Sequence, residues 1–317
     1  MDLVEQVLGG DAGAIARAIS LIEDCEPQAE QLADSLFPYT GKALILGVTG
    51  SPGCGKSTLV DRLIARERRA GHRVAVLAVD PSSPFSGGAV LGDRLRMQKH
   101  ATDPDVFIRS MASRGFLGGV AAASGDALKV LEAAGYQTIF VETIGVGQTE
   151  VKIVELSDIV LLVLMPGMGD EIQVLKAGVM EIGDIFVINK RDLPGADKLR
   201  SEVEYLLSFK NPDETESENP IVMASAVNDQ GIDELDEAIA AYREEIQSSG
   251  QLEHRRRYRL RREIKGIVGR KIHELLDVHM EFSKQLEGWV DSLYRHQARP
   301  YALINERLDR FLKGAKK

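Results

Sequence analysis

The sequence predicts an α/β fold: a doubly wound, mostly parallel sheet, with helices added at both ends of the chain. Three observations carry this: seven short runs rich in Val, Ile and Leu, amphipathic or Ala-rich stretches between them, and a phosphate-loop motif where the first run meets the first stretch. The runs lie at 43–48, 74–79, 105–110, 137–142, 159–165, 184–189 and 220–224. Most are apolar on consecutive residues, the pattern of strands covered on both faces. Helical stretches at 57–70, 118–134, 171–182, 195–209 and 231–247 intervene. Strands alternating with helices imply parallel pairing and right-handed crossovers, and ligands then bind beyond the carboxyl ends of the strands.

Residues 1–40 read as short helices. Asp11 can cap one whose apolar positions Ile15, Ala18, Ile19 and Ile22 recur at spacings of three and four; Pro27 suits the start of a second, and Pro38 with Gly41 its end. The α/β domain is expected over 41–249, and the acidic run 211–218 reads as a solvated loop before the last strand. From about 250 the pattern is helix without strand. Leu260, Ile264, Ile267, Val268, Ile272, Leu275, Phe282, Leu286, Trp289 and Leu293 make one stripe at helical spacing, Arg299-Pro300 breaks it, and Tyr301 to Phe311 mark a closing helix. The stripe is too long to lie against its own α/β domain alone, so 250–317 is expected to be a homodimerisation arm.

The 317-residue chain has 39 Lys plus Arg against 48 Asp plus Glu, a net charge of −9, with 44% apolar and 27% charged residues. That composition excludes disordered and collagen-like chains. The longest apolar run, Ile159 to Met165, is far short of the roughly 20 residues a bilayer span needs. The acidic start lacks the basic and apolar regions of a secretory signal, and Cys25 and Cys54 are too few for a disulfide framework or a metal cluster; a cytoplasmic protein is expected. No membrane and no nucleic-acid partner is expected. The basic segment 254–271 reads as a solvated or partner-facing helix side, and the histidines, without metal-ligand spacing, as structural or surface residues.

Gly50-Ser51-Pro52-Gly53-Cys54-Gly55-Lys56-Ser57, followed by Thr58, matches G-x-x-x-x-G-K-[ST] between a strand and a helix. Its glycines let backbone N–H groups face a triphosphate, Lys56 should reach the β- and γ-phosphates, and Ser57 should ligate Mg²⁺. Asn189-Lys190-Arg191-Asp192 follows a strand and matches the N-K-x-D pattern of GTPases. A carboxylate at Asp192 can accept from the N1–H and 2-amino groups of guanine, which adenine does not offer. Ser225-Ala226, with Val227 after it, fits the backbone segment that meets guanine O6. Two strands end in acids, Asp80 and Glu142, where the nucleotide's metal should lie; Gly145 would supply an N–H to the γ-phosphate. Gln148, three residues after Gly145, is given no water-positioning role.

These motifs together resemble the methylmalonyl-CoA mutase-associated GTPases, the MeaB/ArgK family. The further marks are Asp80-Pro81-Ser82-Ser83-Pro84-Phe85-Ser86-Gly87-Gly88, Leu91-Gly92-Asp93-Arg94, Ser113-Arg114-Gly115-Phe116-Leu117-Gly118-Gly119, Glu142-Thr143-Ile144-Gly145-Val146-Gly147-Gln148 and Pro166-Gly167-Met168-Gly169-Asp170. The resemblance implies slow hydrolysis of GTP to GDP and association with an adenosylcobalamin-dependent acyl-CoA mutase whose cofactor loading and protection it gates. It also implies a homodimer joined through the C-terminal helices. Carried over by position, Lys56, Asp93 and Glu142 are catalytic, Ser57, Asp80, Asp93 and Glu142 line the Mg²⁺ site, and 85–97 and 166–176, with Asp170 and Lys176, are switch loops. A metallochaperone GTPase for another metal enzyme and a small-molecule or amino-acid-transport-linked kinase are the alternatives. The first needs Cys and His ligands near the switches or the N-terminus, which this sequence does not offer; the second commonly prefers ATP.

Overall fold

Consecutive apolar residues on the strands follow from a sheet buried on both faces. A computed structural model describes residues 2–81, 100, 102–113, 119–143, 153–167, 179–210, 219–280 and 282–314. The strands are β1 (Leu44–Gly50), β2 (Val74–Pro81), β3 (Val106–Ser113), β4 (Thr138–Thr143), β5 (Ile159–Leu164), β6 (Ile185–Ile188) and β7 (Ile221–Met223). They form one sheet in the order β3-β2-β4-β1-β5-β6-β7, every pairing parallel. All seven carboxyl ends therefore lie along one edge, where the site is built.

On β1, Ile45 packs into one core with Leu77, Ile139 and Val141, whereas Leu44, Leu46 and Val48 pack into another with Phe140 and Leu161. The first face is covered by α1 (Leu3–Leu8), α2 (Ala12–Glu23), α3 (Ala29–Leu36) and α5 (Gly119–Ala133). The second is covered by α4 (Lys56–Arg69) and α7 (Ile232–Ser248). Near β7, α6 (Ala196–Lys210) adds Leu199 and Val203 against Leu162, Phe186 and Ile188. Asp11 caps α2 as expected, its carboxylate accepting from Ala14 N–H at 2.7 Å. Pro38 does not end α3 directly: it sits in a 3₁₀ turn, Phe37–Tyr39, that follows Leu36. Of the helix expected over 171–182, residues 171–178 lie outside the described residues and Val179–Glu181 form a 3₁₀ turn; the acidic run 211–218 also lies outside them.

The chain divides into two units, residues 1–259 and 260–317. In the second, the stripe expected to run on to Leu293 is shared between α8 (Gln251–Met280) and α9 (Phe282–Tyr294), and α10 is Pro300–Gly314. Asp277 accepts from Ser283 N–H at 2.8 Å and so caps the opening of α9. Trp289 is buried with its ring edge-on to Phe282 at 5.5 Å, while Ile264, Val268, Ile272 and Leu275 are exposed. Among the described residues no helix is long and apolar enough to cross a membrane.

At the amino ends of the strands, two buried carboxylates tie the sheet to the start of α8. Asp158, just before β5, accepts from Ile45 N–H at 3.1 Å, from Arg256 Nη2 at 2.8 Å and from Arg259 Nη2 at 3.2 Å. Asp184, just before β6, accepts from Val160 N–H and from Arg255 Nη1 and Nη2, each at 2.8 Å, and from the Tyr242 hydroxyl at 2.9 Å. Burial and the Asp184 charge push the Tyr242 phenol up. The reading of the basic segment as a solvated or partner-facing side is corrected at these three arginines: each bonds inward, because a carboxylate sunk at a strand end must be paired. Arg257, between them, does face water, where it pairs with Glu253 at 2.8 Å. Replacing Asp158 by Ala is expected to lower the unfolding free energy in urea by about 2–4 kcal/mol, because it strands two guanidinium groups and a backbone N–H. Arg257→Ala should change it by less than about 0.5 kcal/mol; equal effects would contradict the clamp.

Candidate active site

Between β1 and α4 the chain makes the turn that the phosphate-loop motif predicts. Gly50 has φ +142°, and a Cβ there would lie 2.1 Å from the Val163 carbonyl oxygen. Gly55 has φ +94°, and its Cβ would meet Asn189 Nδ2 at 2.3 Å. No other residue fits either place. Ser51, Pro52 and Gly53 form the bend, closed by Cys54 N–H donating to the Ser51 carbonyl at 3.3 Å. Lys56 is buried inside it, donating from Nζ to the Gly50 and Ser51 carbonyls at 2.8 and 3.2 Å. Ser57 and Thr58 occupy the first turn of α4, whose amino end offers unpaired N–H groups and a favourable dipole to an anion.

Glu142 stands in β4 opposite Val48 of β1 and Ala78 of β2, near the centre of the sheet. Its side chain is buried, and Oε1 accepts from the Ser57 hydroxyl at 2.7 Å. A carboxylate and a hydroxyl held together beside a phosphate loop are hard oxygen donors that suit Mg²⁺. Among the described residues no three His, Cys, Asp or Glu side chains gather as a metal site on their own. Asp80 lies at the end of β2 with its side chain outside the described residues, as are Asp93, Gly145, Gln148, Asp170 and Lys176.

The residues expected to read the base come from the ends of β6 and β7. Asn189 is buried; its Nδ2 donates to the Cys54 carbonyl at 2.7 Å and its Oδ1 accepts from Ala226 N–H at 3.0 Å. Lys190, at φ +58°, donates to the Gly53 carbonyl at 2.7 Å. The Asp192 carboxylate accepts from the Ser225 hydroxyl at 2.5 Å, which holds it below the usual carboxylate range. Ser225 in turn accepts from Asn228 Nδ2 at 3.0 Å, a contact the motif reading missed. Phosphate loop, tetrad and Ser225-Ala226-Val227 thus converge on one edge of the sheet. An aimed, ionised carboxylate at Asp192 can receive two donors from a purine's N1 and C2 positions, as guanine requires.

The sequence profile described as methylmalonyl Co-A mutase-associated GTPase MeaB matches residues 15–281. The chain belongs to that family. It is a GTPase by family and by its relatives' names, which implies that it binds GTP. A protein of Pyrococcus abyssi is 51% identical over 269 residues, covering 84% of this chain and 83% of that one. The GTPase ArgK of Escherichia coli is 37% identical over 79% of this chain and 78% of its own. A mitochondrial methylmalonic aciduria type A homolog of Caenorhabditis elegans is 34% identical over 82% and 70%. Among solved structures, one described as an LAO/AO transport system kinase superposes with a TM-score of 0.72 at 26% identity, covering 98% of this chain and 96% of that one.

Cys54 sits within the loop with its thiol turned into the core, and burial pushes that thiol up, against the opposing pull of Lys56. A protonated buried thiol is a poor nucleophile. At pH 7.5 iodoacetamide should modify the exposed Cys25 at least about tenfold faster than Cys54, read by peptide mass spectrometry, until urea unfolds the chain. Comparable rates in the folded protein would contradict the placement of Cys54.

Proposed function

We propose that this GTPase binds GTP and GDP with Mg²⁺ and gates adenosylcobalamin loading and protection of an acyl-CoA mutase of the methylmalonyl-CoA type. The observation that carries the nucleotide part is the buried Asn189 amide, which joins the phosphate loop to the base-reading loop and leaves Asp192 aimed by Ser225. In this reading Asn189, Lys190 and Asp192 frame guanine, and the backbone of Ser225, Ala226 and Val227 meets its O6. Lys56 leaves the Gly50 and Ser51 carbonyls for the β- and γ-phosphates and offsets charge that builds up during transfer to water. Ser57 and Glu142 hold Mg²⁺, with Asp80 and Asp93 completing the surround and Gly145 donating to the γ-phosphate; the ion, when bound, neutralises phosphate charge.

The mutase part is supported by the family's description and by the C. elegans relative's name. The guanine tetrad favours this reading over a small-molecule kinase. The second unit's exposed Ile264, Ile267, Val268, Ile272 and Leu275, at helical spacing, support a homodimer through that unit. The switch segments 85–97 and 166–176 lie largely outside the described residues; in the proposal they are ordered by the γ-phosphate, so that a partner preferring that order must by linkage tighten GTP binding. A purified adenosylcobalamin-dependent methylmalonyl-CoA mutase should raise GTP affinity by about 5–150-fold in calorimetry and change the hydrolysis rate. Unchanged affinity, hydrolysis and cobalamin transfer with that mutase would overturn the partner assignment while leaving the GTPase intact.

A further inference from the structure

Two arginines one turn apart on α4, Arg62 and Arg66, reach from the helix that begins at the phosphate loop to the loop that follows Ser225. Arg62 Nε donates to the Ala226 carbonyl at 2.9 Å and its Nη2 to the Val227 carbonyl at 3.2 Å. Arg66, with a side chain only 8% exposed, donates from Nη1 to Asp229 at 2.6 Å and from Nε to Asp233 at 2.9 Å. The loop itself is tightly wound. Ser225 and Gln230 form an antiparallel bridge, and Asp229 takes a left-handed φ of +56°. At Gly231, φ +71°, a Cβ would lie 2.1 Å from the Met223 carbonyl oxygen. Arg66 thus fixes the far side of the turn and Arg62 grips its two leading carbonyls.

A trans peptide is planar, so its C=O and the next N–H point in opposite directions. Holding the Ala226 carbonyl toward Arg62 turns the Val227 N–H away from it, and holding the Val227 carbonyl does the same for the Asn228 N–H. The preceding peptide is pinned as well, because Ala226 N–H donates to Asn189 Oδ1. Both peptide planes that flank Ala226 are therefore set before any nucleotide arrives. The Ala226 N–H is already shared with Asn189, and the Val227 N–H is the next donor along the loop.

The geometry points to Arg62 as a positioning residue for purine recognition, one that aims the Val227 N–H at the 6-carbonyl of guanine, with Arg66 bracing the loop behind it. This rests on the guanine reading above and adds a second selector to it. Asp192 reads the N1 and 2-amino positions through its carboxylate; Arg62 acts on the 6-position through backbone it never shares with the ligand. Neither arginine belongs to the phosphate loop or the tetrad, and the partners lie 163 to 167 positions away in sequence, so no local motif marks them.

The test titrates Arg62→Gln and the unsubstituted protein with GDP, IDP and 2-aminopurine riboside diphosphate by calorimetry. IDP lacks the 2-amino group, and the 2-aminopurine analogue lacks the 6-oxygen and, with it, the N1–H. The variant should lose about 5–20-fold in GDP and IDP affinity, the value of a charge-assisted hydrogen-bonded support, while binding the 2-aminopurine analogue within about twofold of the unsubstituted protein. The GDP-to-IDP ratio, carried by Asp192, should stay constant. Because all three ligands are titrated on one preparation, a misfolded fraction lowers stoichiometry and leaves the affinity ratios intact. An equal loss for all three ligands would show a merely structural role, and no loss for any would show no role; either overturns the proposal. If the unsubstituted protein does not distinguish GDP from the 2-aminopurine analogue, the guanine reading itself fails and this inference with it.

Discussion

Asn189 places one buried amide between the loop that holds phosphate and the loop that meets a base, donating to the Cys54 carbonyl and accepting from Ala226 N–H. Both of its partners are main chain, so the side chain fixes positions rather than contributing charge. A buried amide left with either end unpaired costs about 1–3 kcal/mol, so the two loops are held in one relative geometry. The close approach it demands explains the glycine at 55, where any side chain would strike Asn189 Nδ2. Lys190 reinforces the same junction from the next position by bonding the Gly53 carbonyl. The phosphate loop and the proposed base-reading loop are consequently tied together, although the joined residues are separated by more than 130 positions.

The parallel sheet divides labour between its two edges. The carboxyl edge carries the phosphate loop and the tetrad, and there Glu142 accepts from Ser57 and Asp192 from Ser225. The amino edge carries Asp158 and Asp184, each saturated by backbone and arginine donors, groups whose polar atoms are directed at one another. Both edges bury carboxylates. Asp158 and Asp184 are enclosed by guanidinium groups, and Glu142 accepts from the Ser57 hydroxyl on its Oε1 beside the phosphate loop.

The parts of this architecture written in local pattern were legible in the sequence. Strand runs apolar on successive residues required two covered faces, and Ile45 against Leu44 and Leu46 shows why: neighbours on one strand enter different cores. The phosphate loop and tetrad were legible because their spacing is set within eight and four residues. Sheet order was not, since apolar strands of similar length carry no label for their neighbours. The inward turn of Arg255, Arg256 and Arg259 was hidden in the same way. In sequence they are part of a basic run, and the carboxylates that neutralise them lie 71 to 101 positions upstream. Arg62 and Arg66 escaped notice for the converse reason, two ordinary helix arginines whose significance comes only from the loop that folds back against them.

In the proposed function this site selects guanine through Asp192, held ready by Ser225. The most direct measurement compares GTP and XTP binding to the unsubstituted protein and to Asp192→Asn. Xanthine replaces the 2-amino donor by a carbonyl acceptor, and an asparagine amide offers one acceptor to N1–H and one donor to that carbonyl. The account predicts that the variant loses GTP affinity by about 10² or more and comes to prefer XTP, with the phosphate loop unaffected. A variant that keeps the unsubstituted protein's preference for GTP over XTP would contradict it.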